Sequence, residues 1–480
     1  MPSAFEFIGP TTEEQRQSRT YQKWKSMIDR NIEAFMQRHY KTFVRRLKRS
    51  VPQDFRWEVW KAAALLKDKQ EEGVYESLCN EVNKYSSLIE IDIPRTFPEH
   101  KSFDSSCQQM LYRILNAYAN YDPNTGYCQG MNFVAGMLLI VSDFKEEESF
   151  WMLTCMMDFY GMEGFYREKF PLLRLYLKEY NRLAKEVIGE VHDHFEHEGV
   201  FPAVYLHQWF LTVFINCLPL QTVIILWDFL ICRGLPGMLQ IALALLKVLR
   251  GALLKLHFED IVKFLKSMKT GGDCNEIMIG RLLIRQAEKI TLRETVERSL
   301  MDYDLEALIR QAEEEEAREA REVAASNSNF RGQAGAERAA GGGGRESQER
   351  AGGGTQAAQG SDVVTNTHLP DRGSIHLHSR AEGEGQGGGV LSGTLFGAAG
   401  VEDLDDGDDD DDGFADGVPS RGAPGAASSP EQPQSQPRGG GQGGLPAGNG
   451  WQSAVTPGAG SVKTGGALAV GGAGKGGGGT

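Results

Sequence analysis

Along residues 20–48, Tyr21, Trp24, Met27, Ile28, Ile32, Phe35 and Met36 recur at helical spacing among lysines, arginines and glutamines, the period of one amphipathic helix. VPQDFRWEVWKAAALL follows, with Pro52 in a first helical turn and alanines and leucines behind it, a second helix. The same period predicts helices over 105–119, 127–141, 146–159, 172–198, 203–216, 220–231, 237–256, 258–268 and 275–286. Alternating runs of strand length are absent, so the expected fold class is all-α. The most apolar stretch, residues 204–232, is interrupted by Asn216, Pro219, Gln221 and Asp228. A membrane span needs roughly 20 predominantly apolar residues, so buried helices are expected there.

From residue 291 the pattern changes to a charged helix with pairs such as Glu314 and Arg318 at i,i+4. Beyond Ser326 glycine takes over, in runs such as GGGG at 341–344, and most of the 57 glycines lie there. Such a segment buries too little apolar surface to offset its ordering entropy, so a long disordered Gly/Asp-rich tail is predicted. The organisation read from the chain is an N-terminal amphipathic region at 1–49, a main helical domain at 50–270, C-terminal helices at 271–325 and the tail at 326–480.

Charge alters this picture only locally. The net charge is −14, but ten acids fall between Glu402 and Asp416 with no basic residue among them, leaving the remainder at −4. Nothing in that balance resembles a nucleic-acid footprint; the basic run RHYKTFVRRLKRS at 38–50 is read as a solvated helix face, with a patch for a membrane surface or an acidic partner as the alternative. The seven cysteines are scattered without CxxC pairs, as expected of reduced thiols in a cytoplasmic protein. The N-terminus lacks the basic start and apolar run of a signal peptide.

Three weak chemical signals fail on spacing. HDHFEHE places His194 and His197 on one side of a helix and His192 elsewhere, with no fourth ligand. Asp408 to Gly413 opens like a calcium loop, but Pro419 stands where the closing glutamate belongs. AGKGG at 473–477 lacks the upstream glycine and the Ser/Thr of a phosphate loop. The expectation is no metal, no cofactor and no nucleotide site of its own.

Two motifs carry more. IEIDIPRTFPEH sets Ile89, Asp92 and Arg95 in an I-x-x-D-x-x-R array, and GYCQGMN at 126–132 sets Gln129 between two glycines, directly ahead of an apolar helix. A buried segment would avoid an amide with two donors and an acceptor to satisfy. With VPQDFRWEVW, EEESFW, HQWFLTVF and LPLQTVIILWDFL in order, the series resembles the TBC domain of Rab GTPase-activating proteins over roughly residues 50–270. Ser50-Val51-Pro52 and Arg56-Trp57 stand where the family usually has Gly-Ile-Pro and Arg-Gly.

The resemblance implies that Arg95 and Gln129 enter the active site of a GTP-loaded Rab-type GTPase, the arginine to stabilise charge and the glutamine to orient the attacking water. GTP and Mg2+ would belong to the partner, and the implied role is control of vesicle traffic from the cytoplasm, peripherally on endomembranes. Gly126 and Gly130 would allow close backbone approach. Tyr127, Gly130 and Asn132 are read as loop supports, and Asp92 as one half of a buried brace with Arg56. Trp151, Trp209, Trp227 and Asp228 are read as core and capping residues. The alternatives are a catalytically silent Rab-binding scaffold and an adaptor working through its tail.

Overall fold

The computed structural model describes Gly9 and residues 11–100, 103–269 and 275–340, with side chains through residue 322. Among the described residues the regular structure is entirely helical. The predicted tail beyond residue 340, with the acidic block, the Asp408–Gly413 loop and AGKGG, lies outside them.

The single helix expected at 20–48 is three: α1 (Arg19–Asp29), α2 (Ile32–Arg38) and α3 (Tyr40–Lys48). Asn31 breaks the first, adopting φ +75° and accepting from Ala34 N at 3.1 Å as an N-cap. His39, at φ −130°, turns the chain again. The bends bring Trp24, Met27, Ile32, Met36, Phe43 and Leu47 all into the core, which one straight rod could not do with a stripe that drifts around its axis.

The main body follows as α4 (Gln53–Ala63), α5 (Ser86–Asp92), α6 (Ser105–Tyr121), α7 (Met131–Val141), α8 (Glu146–Asp158), α9 (Pro171–Glu198), α10 (Ala203–Leu211), α11 (Leu220–Arg233), α12 (Pro236–Leu253), α13 (Phe258–Lys266) and α14 (Glu276–Glu288). Short helical turns at Leu66–Lys69 and Val74–Leu78 link α4 to α5. Helix α7 is apolar all round and buried at ten of its eleven residues, the pattern of a central core helix. Helix α9 kinks at Ile188, beside Gly189. Among the described residues α12 alone has the length and hydropathy to cross a membrane, and 72% of it is buried inside the protein.

The C-terminal charged helix is also divided, into α15 (Glu294–Met301) and α16 (Leu305–Ala340). Asp304 restarts the helix by accepting from Ala307 N at 3.1 Å. Arg318 lies 3.9 Å from Glu322, pairing forward rather than back to Glu314. Helix α16 runs past the Ser326 boundary expected from sequence, through a stretch that includes Asn327, Asn329, Gly332 and Gly335. It lies against α9, with Lys169 2.9 Å from Glu316 and Arg174 3.8 Å from Glu315.

One polar network locks the entry helix to the core. Asp228 on α11 is fully buried and accepts from Arg56 Nε at 3.0 Å, Trp60 Nε1 at 2.8 Å and Val51 N at 3.0 Å. Arg56 also donates to the Val51 carbonyl and to Gln53. Burial pushes the Asp228 carboxyl above its ordinary range, and the Arg56 charge and these donors pull it part of the way back. Trp60 stacks on Trp227 with ring centroids 5.7 Å apart.

The brace read from sequence is therefore corrected. Arg56 pairs with Asp228, not with Asp92, because the three donors of this corner surround Asp228, while both oxygens of Asp92 are taken by other groups described below. Removing one half of a buried pair strands the other charge, at a cost of about 3–5 kcal/mol. Arg56→Ala and Asp228→Ala are each expected to destabilise the domain by that order in urea unfolding monitored by circular dichroism.

Candidate functional site

Helix α5 is anchored before it is functional. Ser86 Oγ donates to Asn116 Oδ1 on α6 at 2.8 Å, and the Asn116 amide donates to the carbonyls of Cys79 and Glu81 at 3.2 and 2.7 Å. Ile89 and Asp92 face inward, at 0% and 1% exposure. The helix tightens into a 3-10 turn, Ile93–Arg95, with Pro94 in it, and Phe97 then takes φ +51° and sends the chain away. The Phe97 ring sits over α7, where a Cβ on Gly136 would come within 2.8 Å of it. Arg95 is thus carried at the end of a fixed element, its side chain 35% exposed.

Asp92 holds this arginine. Its Oδ1 accepts from Arg95 Nη2, one helical turn away, while the Arg95 Nε is buried with no hydrogen-bond partner. Its Oδ2 accepts from the Tyr127 hydroxyl at 2.7 Å. Burial and then the Asp92 charge push the Tyr127 phenol well above its ordinary value, so it stays protonated and donates.

The second loop is built on backbone geometry that glycine alone meets cheaply. Asp122 Oδ1 accepts from Asn124 N and Thr125 N at 3.1 and 3.3 Å, an Asx turn. Gly126 follows at φ +60°, where a Cβ would stand 2.1 Å from the Tyr85 ring. Gly130 takes φ +114°, where a Cβ would stand 2.7 Å from the Leu211 carbonyl oxygen, itself accepting from Tyr166 at 2.9 Å. Between them Gln129 is partly exposed.

Two ties bracket Gln129 and join it to the arginine loop. Ahead of it, Tyr127 reaches Asp92. Behind it, Asn132 Oδ1 accepts from Gly130 N at 3.0 Å, and Asn132 Nδ2 donates to Thr96 Oγ1 at 2.8 Å. Thr96 in turn donates to the Asp92 carbonyl at 3.0 Å. The structure thus brings Asp92, Arg95, Tyr127, Gln129, Gly130 and Asn132 into one assembly and leaves Arg56 outside it. Sequence reasoning missed Thr96, buried at 1% exposure; a threonine between Arg95 and an apolar Phe97 was the available signal. It also missed Tyr85 and Asn116.

The histidine-rich segment is the surface end of α9. His194 Nε2 lies 3.0 Å from the Leu256 carbonyl oxygen, and His192 pairs with Glu196 at 3.8 Å beside an exposed Asp193.

Both loops and their ties fall within residues 53–254, the stretch matched by the Rab-GTPase-TBC domain family. Over that stretch the chain is similar to TBC domains. It is 30% identical over 280 residues to TBC1 domain family member 4 of Mus musculus, covering 56% of this chain and 21% of that protein. It is also 30% identical over 220 residues to the Rab GTPase-activating protein eat-17 of Caenorhabditis elegans, covering 45% and 24%. The matches thus span about a fifth to a quarter of the length of these relatives. The solved TBC domain of a Chlamydomonas flagellar RabGAP aligns at 21% identity with a TM-score of 0.47, covering 58% of this chain and 98% of that one.

The Tyr127 hydroxyl donates to a buried charge, a bond worth about 1.5–3 kcal/mol. Tyr127→Phe is expected to lose stability of that order in chemical denaturation.

Proposed function

We propose that this domain accelerates GTP hydrolysis by a Rab-type small GTPase, supplying Arg95 and Gln129 in trans. The observation that carries the reading is the shared anchorage of the two loops, with Asp92 holding Arg95 through one oxygen and Tyr127, two residues before Gln129, through the other. A residue pair that must act on one phosphate needs a fixed mutual position, and positioning is the larger part of this chemistry. The name of the eat-17 relative supports the same activity.

Hydrolysis requires an in-line water and stabilisation of negative charge spreading over the phosphoryl and leaving oxygens. The partner supplies GTP and Mg2+. Arg95 suits the charge: its planar fork is always cationic and donates to two oxygens at once, as a lysine ammonium does not. Reaching the phosphate exchanges its contact with Asp92 for phosphate oxygens and offers its unpaired Nε a partner. An arginine in that role is worth about 10³–10⁵ in rate, roughly 4–7 kcal/mol of barrier. The Gln129 amide accepts from the water through oxygen and donates to the γ-phosphate through nitrogen. A role in ending Rab signals in vesicle traffic, from the cytoplasm and peripherally on membranes, follows from the same reading.

The test is single-turnover hydrolysis across a panel of GTP-loaded Rab GTPases, with and without the full chain. At least one Rab is expected to be stimulated, and stimulation of none would end the proposal. On that Rab, Arg95→Ala is expected to lose about 10³-fold in rate, with Arg95→Lys recovering little.

The role of Gln129 has its own check. A Rab whose catalytic glutamine is changed to leucine is expected to remain responsive, while Gln129→Ala fails even on the unaltered Rab, by about 10²-fold or more. Complete resistance of the leucine Rab would leave Arg95 acting alone.

A further inference from the structure

Helix α5 has two faces, and only one is needed to hold it. Ser86, Ile89 and Asp92 are buried against α6 and the Tyr127 loop, which accounts for how the helix is fixed. The opposite face carries Leu88 at 40% and Ile91 at 62% exposure, followed by exposed Pro94. The spacing is i, i+3, i+6, one strip along the helix, and the next residue is Arg95. Among the described residues, three of the seven exposed large apolar side chains (Val82, Leu88 and Ile91) fall in the segment leading to this arginine. Isolated surface apolar residues need no explanation, but aligned ones mark binding surfaces.

We propose that Leu88, Ile91 and Pro94 form a docking ridge for the GTP-loaded GTPase, meeting an apolar patch beside its nucleotide site. The inference rests on the function proposed above and adds the contact that holds the partner while Arg95 acts. The occupant follows from continuity. A GTPase whose γ-phosphate reaches Arg95 must lie over the end of α5, and the strip one and two turns back along that helix is then covered by the same body. The Gln129 loop is held to the base of the same helix, through the packing of Tyr85 against Gly126 and the Tyr127–Asp92 contact. A solvated face there would leave Arg95 and the ordered attacking water open to bulk solvent, whereas apolar contact seals the edge of the site.

A ridge that binds without touching phosphate affects capture rather than chemistry. Leu88→Ala and Ile91→Ala each remove three carbons from the contact and are expected to raise KM for the most responsive Rab of the panel about tenfold or more, and Ile91→Asp further. In each, kcat stays within about twofold of the wild type and the melting temperature is unchanged, because neither side chain is in the core. Ile91→Leu is expected to retain the wild-type KM. The same variants are measured for equilibrium binding to that Rab loaded with a non-hydrolysable GTP analogue.

Wild-type KM and binding in Leu88→Ala, Ile91→Ala and Ile91→Asp, with hydrolysis still stimulated, would overturn the ridge and leave the catalytic reading standing. Conversely, a Rab that binds but is never hydrolysed faster, with binding weakened by the ridge variants, would sink the catalytic reading and support the ridge. Binding of no Rab in the panel would overturn both.

Discussion

A carboxylate at 1% exposure is costly to bury unless both oxygens are satisfied, and Asp92 satisfies them with two residues from different parts of the chain. That requirement sets much of the site. It fixes where Tyr127 must lie, hence where the next two residues emerge, and it holds Arg95 one turn along the same helix. The Asx turn at Asp122, the positive φ at Gly126 and Gly130, and the Thr96–Asn132 contact all serve to let the second loop meet that one buried charge. The helices beneath contribute rigidity: α7 is almost wholly interior, and α5 is pinned through Asn116.

How much of this was legible depended on how far apart the interacting residues lie in the chain. Gln129 stood out as an amide between two glycines. Arg95 alone reads as a surface arginine after a proline and was singled out only through the series of motifs that resembles a known family. Gly126 and Gly130 flagged themselves as backbone positions, and Asn132 could be read as a loop support because its partner Gly130 is two residues away. The partner of Asp92 was harder. The reading named Arg56, although Arg95 at i+3 is the residue that helical geometry places beside Asp92. The true partner of Arg56 is 172 residues away, and no periodicity carries information over that distance.

The helix boundaries failed for a related reason. Apolar spacing over 20–48 is compatible with one helix, and the breaks at Asn31 and His39 are forced by tertiary packing that keeps Trp24 and Phe43 on the same core, their rings 6.1 Å apart. Asn31, able to cap and to tolerate a positive φ, was the local hint. At the other end, α16 runs past Ser326 although asparagines and glycines follow, and local propensity does not account for that length.

The buried carboxylates Asp92 and Asp228 belong to separate networks. Asp228 fastens the entry helix to the interior and touches neither loop; Asp92 fastens the loops and touches neither Arg56 nor Trp60. In evolutionary terms the corner at Asp228 and the proposed chemistry are therefore separable, while Asp92 serves both the fold and the loops. A descendant of this chain changed at Gln129 would keep both of these carboxylates paired. One that lost the hydroxyl of Tyr127 or the charge of Arg95 would leave an oxygen of Asp92 unpaired and give up part of its stability, though not its corner at Asp228. Under the function proposed above, a single substitution at Gln129 would then be enough to turn a regulator into a tether without disturbing either buried charge.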